Sequence, residues 1–155
     1  MDPRTAPERL RTLPTWLLTQ AALAGQRVGS EALAAVGAHR SHYAVLAALD
    51  EGGPASQADL GRRCGIDPSD MVALVRVLTG DDLVARRPDE ADRRRNVIEI
   101  TPAGRRRLGE LGDVVASAQE ALLAPLSPTE RARLTAALTR IVDHATPRRP
   151  QGPND

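Results

Sequence analysis

At 155 residues the chain is the size of one domain, large enough to bury a core and too small for two independent catalytic lobes. Hydrophobic residues make up 41%, but with no Phe, one Trp (Trp16) and one Tyr (Tyr43) the core must be Leu, Val and Ala, which favours helices over strands. Net charge is +1 and all 21 basic residues are Arg; between Arg86 and Arg107 eight Arg meet four acids, a confined basic segment suited to one polyanion contact.

A single Cys, Cys64, rules out an intramolecular disulfide framework and fits a reducing compartment. No apolar run approaches the roughly 18 to 20 residues that span a bilayer, and the first residues lack the apolar stretch of a signal peptide. The expected location is the cytoplasm, with no membrane partner. Residues 1–12 and 146–155 are polar and proline-containing and are expected to be disordered, leaving one domain over 13–145.

In chain order, the first helix opens at Pro14 and runs to about Val36, with Trp16, Leu17, Ala21, Ala24, Val28 and Leu33 on one stripe and Gly37 as its stop. A second covers about 40–50 and ends at Gly52-Gly53-Pro54. A third, short one starts near Ser56, carries Leu60 and stops at Gly65. The fourth opens on Asp67 as N-cap with Pro68 at N1 and Asp70 at N3, and continues through Met71, Leu74, Val75 and Leu78 to Gly80.

Next, Leu83–Arg87 and Asn96–Ile100 read as strands, the second with clear period-two alternation. The intervening residues are charged and turn-forming, which predicts a hairpin with a long tip. Thr101-Pro102 launches a long helix to about Leu123. Ser127-Pro128-Thr129-Glu130 is a capping box opening the last helix, with Leu134, Leu138, Ile141 and Val142 on one face. The predicted fold is mainly α with a small β-hairpin, in the order α-α-α-α-β-β-α-α.

The informative stretch is 54–101. Two short helices joined by a Gly-containing turn (Cys64-Gly65-Ile66) form a helix-turn-helix, whose second helix lies in the major groove of DNA. The Arg-rich hairpin that follows makes a wing able to reach a minor groove. Ser56, Gln57 and Ser69 are candidate phosphate ligands. Asp70, Val72, Ala73 and Arg76 occupy candidate exposed positions of the reading helix. Asp70 caps the helix or accepts from a cytosine amino group, and Val72 and Ala73 have only thymine methyls to touch.

With these motifs in place the sequence resembles the MarR family of winged helix-turn-helix regulators over about residues 13–145. The run Asp92-Arg93-Arg94-Arg95-Asn96-Val97-Ile98-Glu99-Ile100-Thr101-Pro102-Ala103-Gly104 is similar to the family's wing, with further similarity at Tyr43–Leu49 and Leu83–Pro88. The resemblance implies a homodimer held by helices over 13–37 and 102–145, with residues 54–101 as the DNA-binding lobe on a pseudopalindromic operator. It also implies a pocket for a small-molecule effector that releases the repressor. By the same resemblance Arg94 is the wing-tip arginine and Asp92 the acid that orients it, flanked by Arg93 and Arg95.

Each candidate has a plainer alternative. The three wing arginines can be a solvated charged hairpin, and Trp16, a candidate lining residue of the effector pocket, can be core or interface. His39, Arg40, His42 and Tyr43 cluster where the resemblance puts the pocket and suit an anionic or aromatic ligand; taken singly they are helix-end and core residues. His39 and His42 alone make a poor metal site, Cys64 reads as a small buried residue, and no cofactor is expected. No nucleotide-binding glycine loop and no nucleophile–base set occur, which argues against an enzyme. The remaining alternative is a winged-helix module that has lost specific DNA binding and docks a protein through Val72 and Ala73.

Overall fold

The computed structural model describes residues 5–89 and 96–146. Helices α1 (Glu8–Arg11), α2 (Pro14–Ala35), α3 (Arg40–Gly52), α4 (Gln57–Cys64) and α5 (Pro68–Gly80) precede strands β1 (Val84–Pro88) and β2 (Asn96–Ile100). Helices α6 (Pro102–Leu122) and α7 (Pro128–Ala145) follow. The chain divides into two compact units at Gln119/Glu120. The architecture is the mainly helical winged helix-turn-helix expected, with one added helix.

That helix is α1, within the segment expected to lack structure. Pro7 occupies its N-cap position, Glu8 its first turn and Arg9 and Arg11 its last, so its charges oppose the helix dipole correctly. Ala6 is buried beside it. Pro7, which suggested disorder, instead bounds the turn.

In the first unit one apolar core unites the helix-turn-helix with the hairpin. Val45, Leu46 and Leu49 of α3, Leu60 of α4, and Met71, Val75 and Leu78 of α5 are all but inaccessible to solvent, as are Val84 and Ile98 of the hairpin. Spacing explains α5: residues 71, 74, 75 and 78 fall on one side of a 3.6-residue helix. Each fully buried aliphatic side chain contributes about 2 kcal/mol of transfer free energy. The turn from α4 to α5 depends on Gly65, whose φ of 63° is left-handed.

The hairpin is antiparallel, with Val84 opposite Ile100 and Pro88 opposite Asn96. Its first strand begins one residue later than expected. The amide of Leu83 donates to the carbonyl of Leu78 at 2.9 Å, so Leu83 belongs to the turn that closes α5, where Asp82 takes the left-handed conformation (φ 56°). Ala55 joins the sheet through two hydrogen bonds with Ile98, at 3.0 and 2.8 Å. Thr101 caps α6, accepting from the amide of Gly104 at 2.9 Å while donating to the carbonyl of Asp82 at 2.6 Å. A side chain on Gly104 would overlap the Leu83 carbonyl oxygen, so helix and hairpin meet there without a Cβ between them.

The second unit is built differently. The expected capping box forms: the amide of Ser127 donates to Glu130 at 2.8 Å and the amide of Glu130 donates to Ser127 Oγ at 3.4 Å. Those bonds from Ser127 hold the Glu130 carboxyl below its usual range. Arg131 ties the turn by donating to the carbonyls of Leu123 and Leu126 at 3.1 and 3.0 Å and pairing with Glu120. No residue of α7 is buried.

Candidate nucleic-acid interface

The inner and outer faces of α5 divide its labour. While Met71, Leu74, Val75 and Leu78 enter the core, Ser69, Val72, Ala73 and Arg76 are exposed on the opposite side. These four residues, with Thr79 and Arg86, line an open groove of about 640 Å³. Asp67 stands at the N-cap with Pro68 at N1, as expected, but its side chain makes no cap hydrogen bond. Asp70 is exposed in the first turn and is not part of the groove lining.

Arg86, like Thr79 and Gly80, lines the groove without having been among the candidates from the sequence. It projects from the solvent side of β1, and its guanidinium donates to Gln57 Oε1 at 3.3 Å. That bond ties the first residue of α4 to the base of the hairpin. Strand parity puts Arg86 and Arg87 on opposite faces, and Arg86 is the exposed one. Arg87 turns to the other side and donates to Glu99 Oε2 at 2.5 Å.

Ser56 caps α4: its hydroxyl accepts from the amide of Asp59 at 3.1 Å and donates to the Asp59 carboxylate at 2.6 Å. Gln57 engages Arg86, so both candidate phosphate ligands of α4 hold intramolecular bonds. Arg62 pairs with Asp59. The candidates Asp92, Arg93, Arg94 and Arg95 lie outside the described residues.

A second polar cluster forms around the start of α3. His39 caps the helix, its Nδ1 accepting from the amide of Ser41 at 3.3 Å, and its ring meets that of His42 edge-on at 6.3 Å. His42 is half-buried. Burial, then the electrostatic influence of neighbouring His39, depress its pKa; Asp81 acts in the opposite sense and Arg107 depresses it further. Arg107 also donates to the carbonyl of Val36 and pairs with Glu110. The structure thus brings His39 and His42 together and adds Asp81 and Arg107, which were not anticipated. Tyr43 packs against the core, Arg40 is exposed and Trp16 is half-buried on α2.

Cys64 donates to the carbonyl of Ala44 at 3.6 Å, and burial pushes its thiol pKa up, the opposite of an activated thiolate. Among the described residues no group of three or more His, Cys, Asp or Glu could hold a metal ion, and no helix is long and apolar enough to cross a membrane.

A family model described as MarR family matches residues 37–95. Over 101 residues the chain is 29% identical to the HTH-type transcriptional repressor NicR of Pseudomonas putida, a match covering 65% of this chain and 64% of that protein. The match therefore spans less than two thirds of that curated relative. A crystal structure of a probable transcriptional regulator from Pseudomonas aeruginosa is 30% identical, with 85% of this chain and 98% of that one covered and a TM-score of 0.72. The transcriptional repressor CouR, solved bound to a 23-mer DNA duplex, is 26% identical over 87% of this chain and 96% of its own, with a TM-score of 0.76.

Proposed function

The chain belongs to the MarR family of transcriptional regulators, and on that premise we propose that it is a homodimeric repressor of a pseudopalindromic operator, released by a small-molecule effector. One observation carries the reading. The outer face of α5, from Ser69 to Arg76, is free of the core and bordered by the guanidinium of Arg86. A helix so presented inserts in the major groove, with the wing residues Arg93, Arg94 and Arg95 directed to the adjacent minor groove. The similarity to a repressor solved on duplex DNA supports duplex DNA as the ligand.

Repression follows from occupancy, and release from a ligand that favours a conformation whose two reading helices no longer match the half-site spacing. A coupling free energy of about 1–3 kcal/mol is typical of such release. The cluster of His39, His42 and Arg107 is the proposed receiving site, in which the guanidinium of Arg107 supplies the positive charge for an anionic effector. The dimer draws on apolar side chains that α2 and α7 leave exposed, among them Leu17, Leu134 and Ile141.

Fluorescence anisotropy with the duplex upstream of the protein's own coding sequence, titrated across salt against an unrelated duplex, tests the proposal. Tight, sequence-preferring binding with log K falling steeply against log salt is the expected result. Weak, salt-insensitive binding to both duplexes overturns it in favour of a protein partner on the Val72 and Ala73 surface.

A further inference from the structure

The chemistry of the α5 groove narrows what it can read. Between the hydroxyl of Ser69 and the guanidinium of Arg76 the outer face carries only aliphatic side chains, Val72 and Ala73, with Val72 51% exposed. Major-groove base edges are lined with donors and acceptors, except at one group, the 5-methyl of thymine. An aliphatic side chain pressed on a G·C edge would strip water from oxygen and nitrogen atoms and offer them nothing. Pressed on a thymine methyl it buries apolar surface on both sides.

The setting favours duplex DNA as the occupant. The patch is small and flanked by cations: Arg76 stands one turn further along α5, and Arg86 approaches from β1, held by Gln57 at 3.3 Å. A protein partner docking on apolar surface gains little from that flanking charge, whereas phosphates and a guanine edge match it. Asp70, the acid nearest in sequence, stays out of the groove lining. We propose that Val72 and Ala73 form a methyl-reading patch, so that each half-site presents a thymine 5-methyl to the centre of α5 between the positions served by Ser69 and Arg76. The proposal rests on the DNA-binding reading above and specifies which base that site selects.

The test replaces thymine by deoxyuridine, which keeps Watson–Crick pairing and lacks the methyl. A duplex enriched by the full-length protein from a randomised pool is remade with single thymine-to-deoxyuridine changes, and each is titrated by anisotropy. One symmetric pair of positions is expected to lose about fourfold in affinity per methyl removed. Val72→Ala, at an exposed helical position where Ala is the better helix former, is expected to reduce that loss below about twofold while leaving the salt slope unchanged.

Sequence-specific, salt-dependent binding that ignores every deoxyuridine overturns the methyl-reading patch and leaves the regulator reading standing. A deoxyuridine loss of equal size in the wild type and in Val72→Ala overturns the assignment to Val72. Failure of the pool to yield any preferred duplex overturns both the patch and the proposed function.

Discussion

The helix-turn-helix body and helix α7 dispose of their apolar residues in opposite ways. In the body, α3, α4, α5 and the hairpin bury Leu46, Leu60, Val75, Leu78 and Ile98 against one another. In α7 nothing is buried, and Ile141 and Val142 are 49% and 60% exposed. The difference shows where this chain is self-sufficient. The helix-turn-helix body carries its own core and can present an exposed face without losing its fold, while α7 leaves an apolar stripe exposed.

Substitutions in the body break that comparison most strongly. Leu78→Ala should cost about 3 kcal/mol, visible in urea unfolding as a lower midpoint with little change of slope. Gly104→Ala should cost roughly 2 kcal/mol, because the new methyl meets the Leu83 carbonyl and helix α6 must back away from the hairpin. A wild-type midpoint in either variant would contradict the packing described.

On α7 the expected effect falls on assembly. Ile141→Glu places a charge on the exposed stripe and should raise the dimer dissociation constant roughly 30-fold, about 2 kcal/mol, as read by sedimentation equilibrium. An unchanged association constant would remove α7 from the proposed interface. On the reading face, Arg76→Ala should weaken operator binding by about 2 kcal/mol and leave the unfolding midpoint in place. Anisotropy and urea unfolding on the same preparation separate the two effects.

The smallest effect concerns His42. Its folded-state pKa is depressed by burial and then by His39, with Arg107 adding to the same effect, so between that value and the ordinary histidine range the unfolded chain binds the extra proton. Stability is therefore present in full above about pH 6.5 and declines as pH falls through that window, levelling off once the folded form titrates as well. His42→Gln should flatten this part of the stability profile. A stability that rises on acidification through the same window would contradict the sign.

Much of the body was legible because its signals are local. Asp67-Pro68, Thr101-Pro102 and Ser127-Pro128-Thr129-Glu130 mark helix starts within four residues, and Asn96–Ile100 declares its alternation within five. What escaped was long-range or ambiguous. Arg86 meets Gln57 across 29 positions of sequence, and Asp81 and Arg107 come to His42 from the end of α5 and from α6. No periodicity encodes such meetings, which exist only once α4, α5 and the hairpin have packed. Helix α1 was hidden because Pro7 reads equally well as disorder and as the boundary of a short turn of helix.

Whether the outer face of α5 reads DNA is decided by Val72→Glu. The position is half exposed, so the fold should survive, as a circular dichroism melt can verify. Operator affinity measured by anisotropy should fall roughly a hundredfold or more, because a carboxylate forced against phosphates and base acceptors is repelled. A folded Val72→Glu protein that binds the operator as tightly as the wild type would contradict the account.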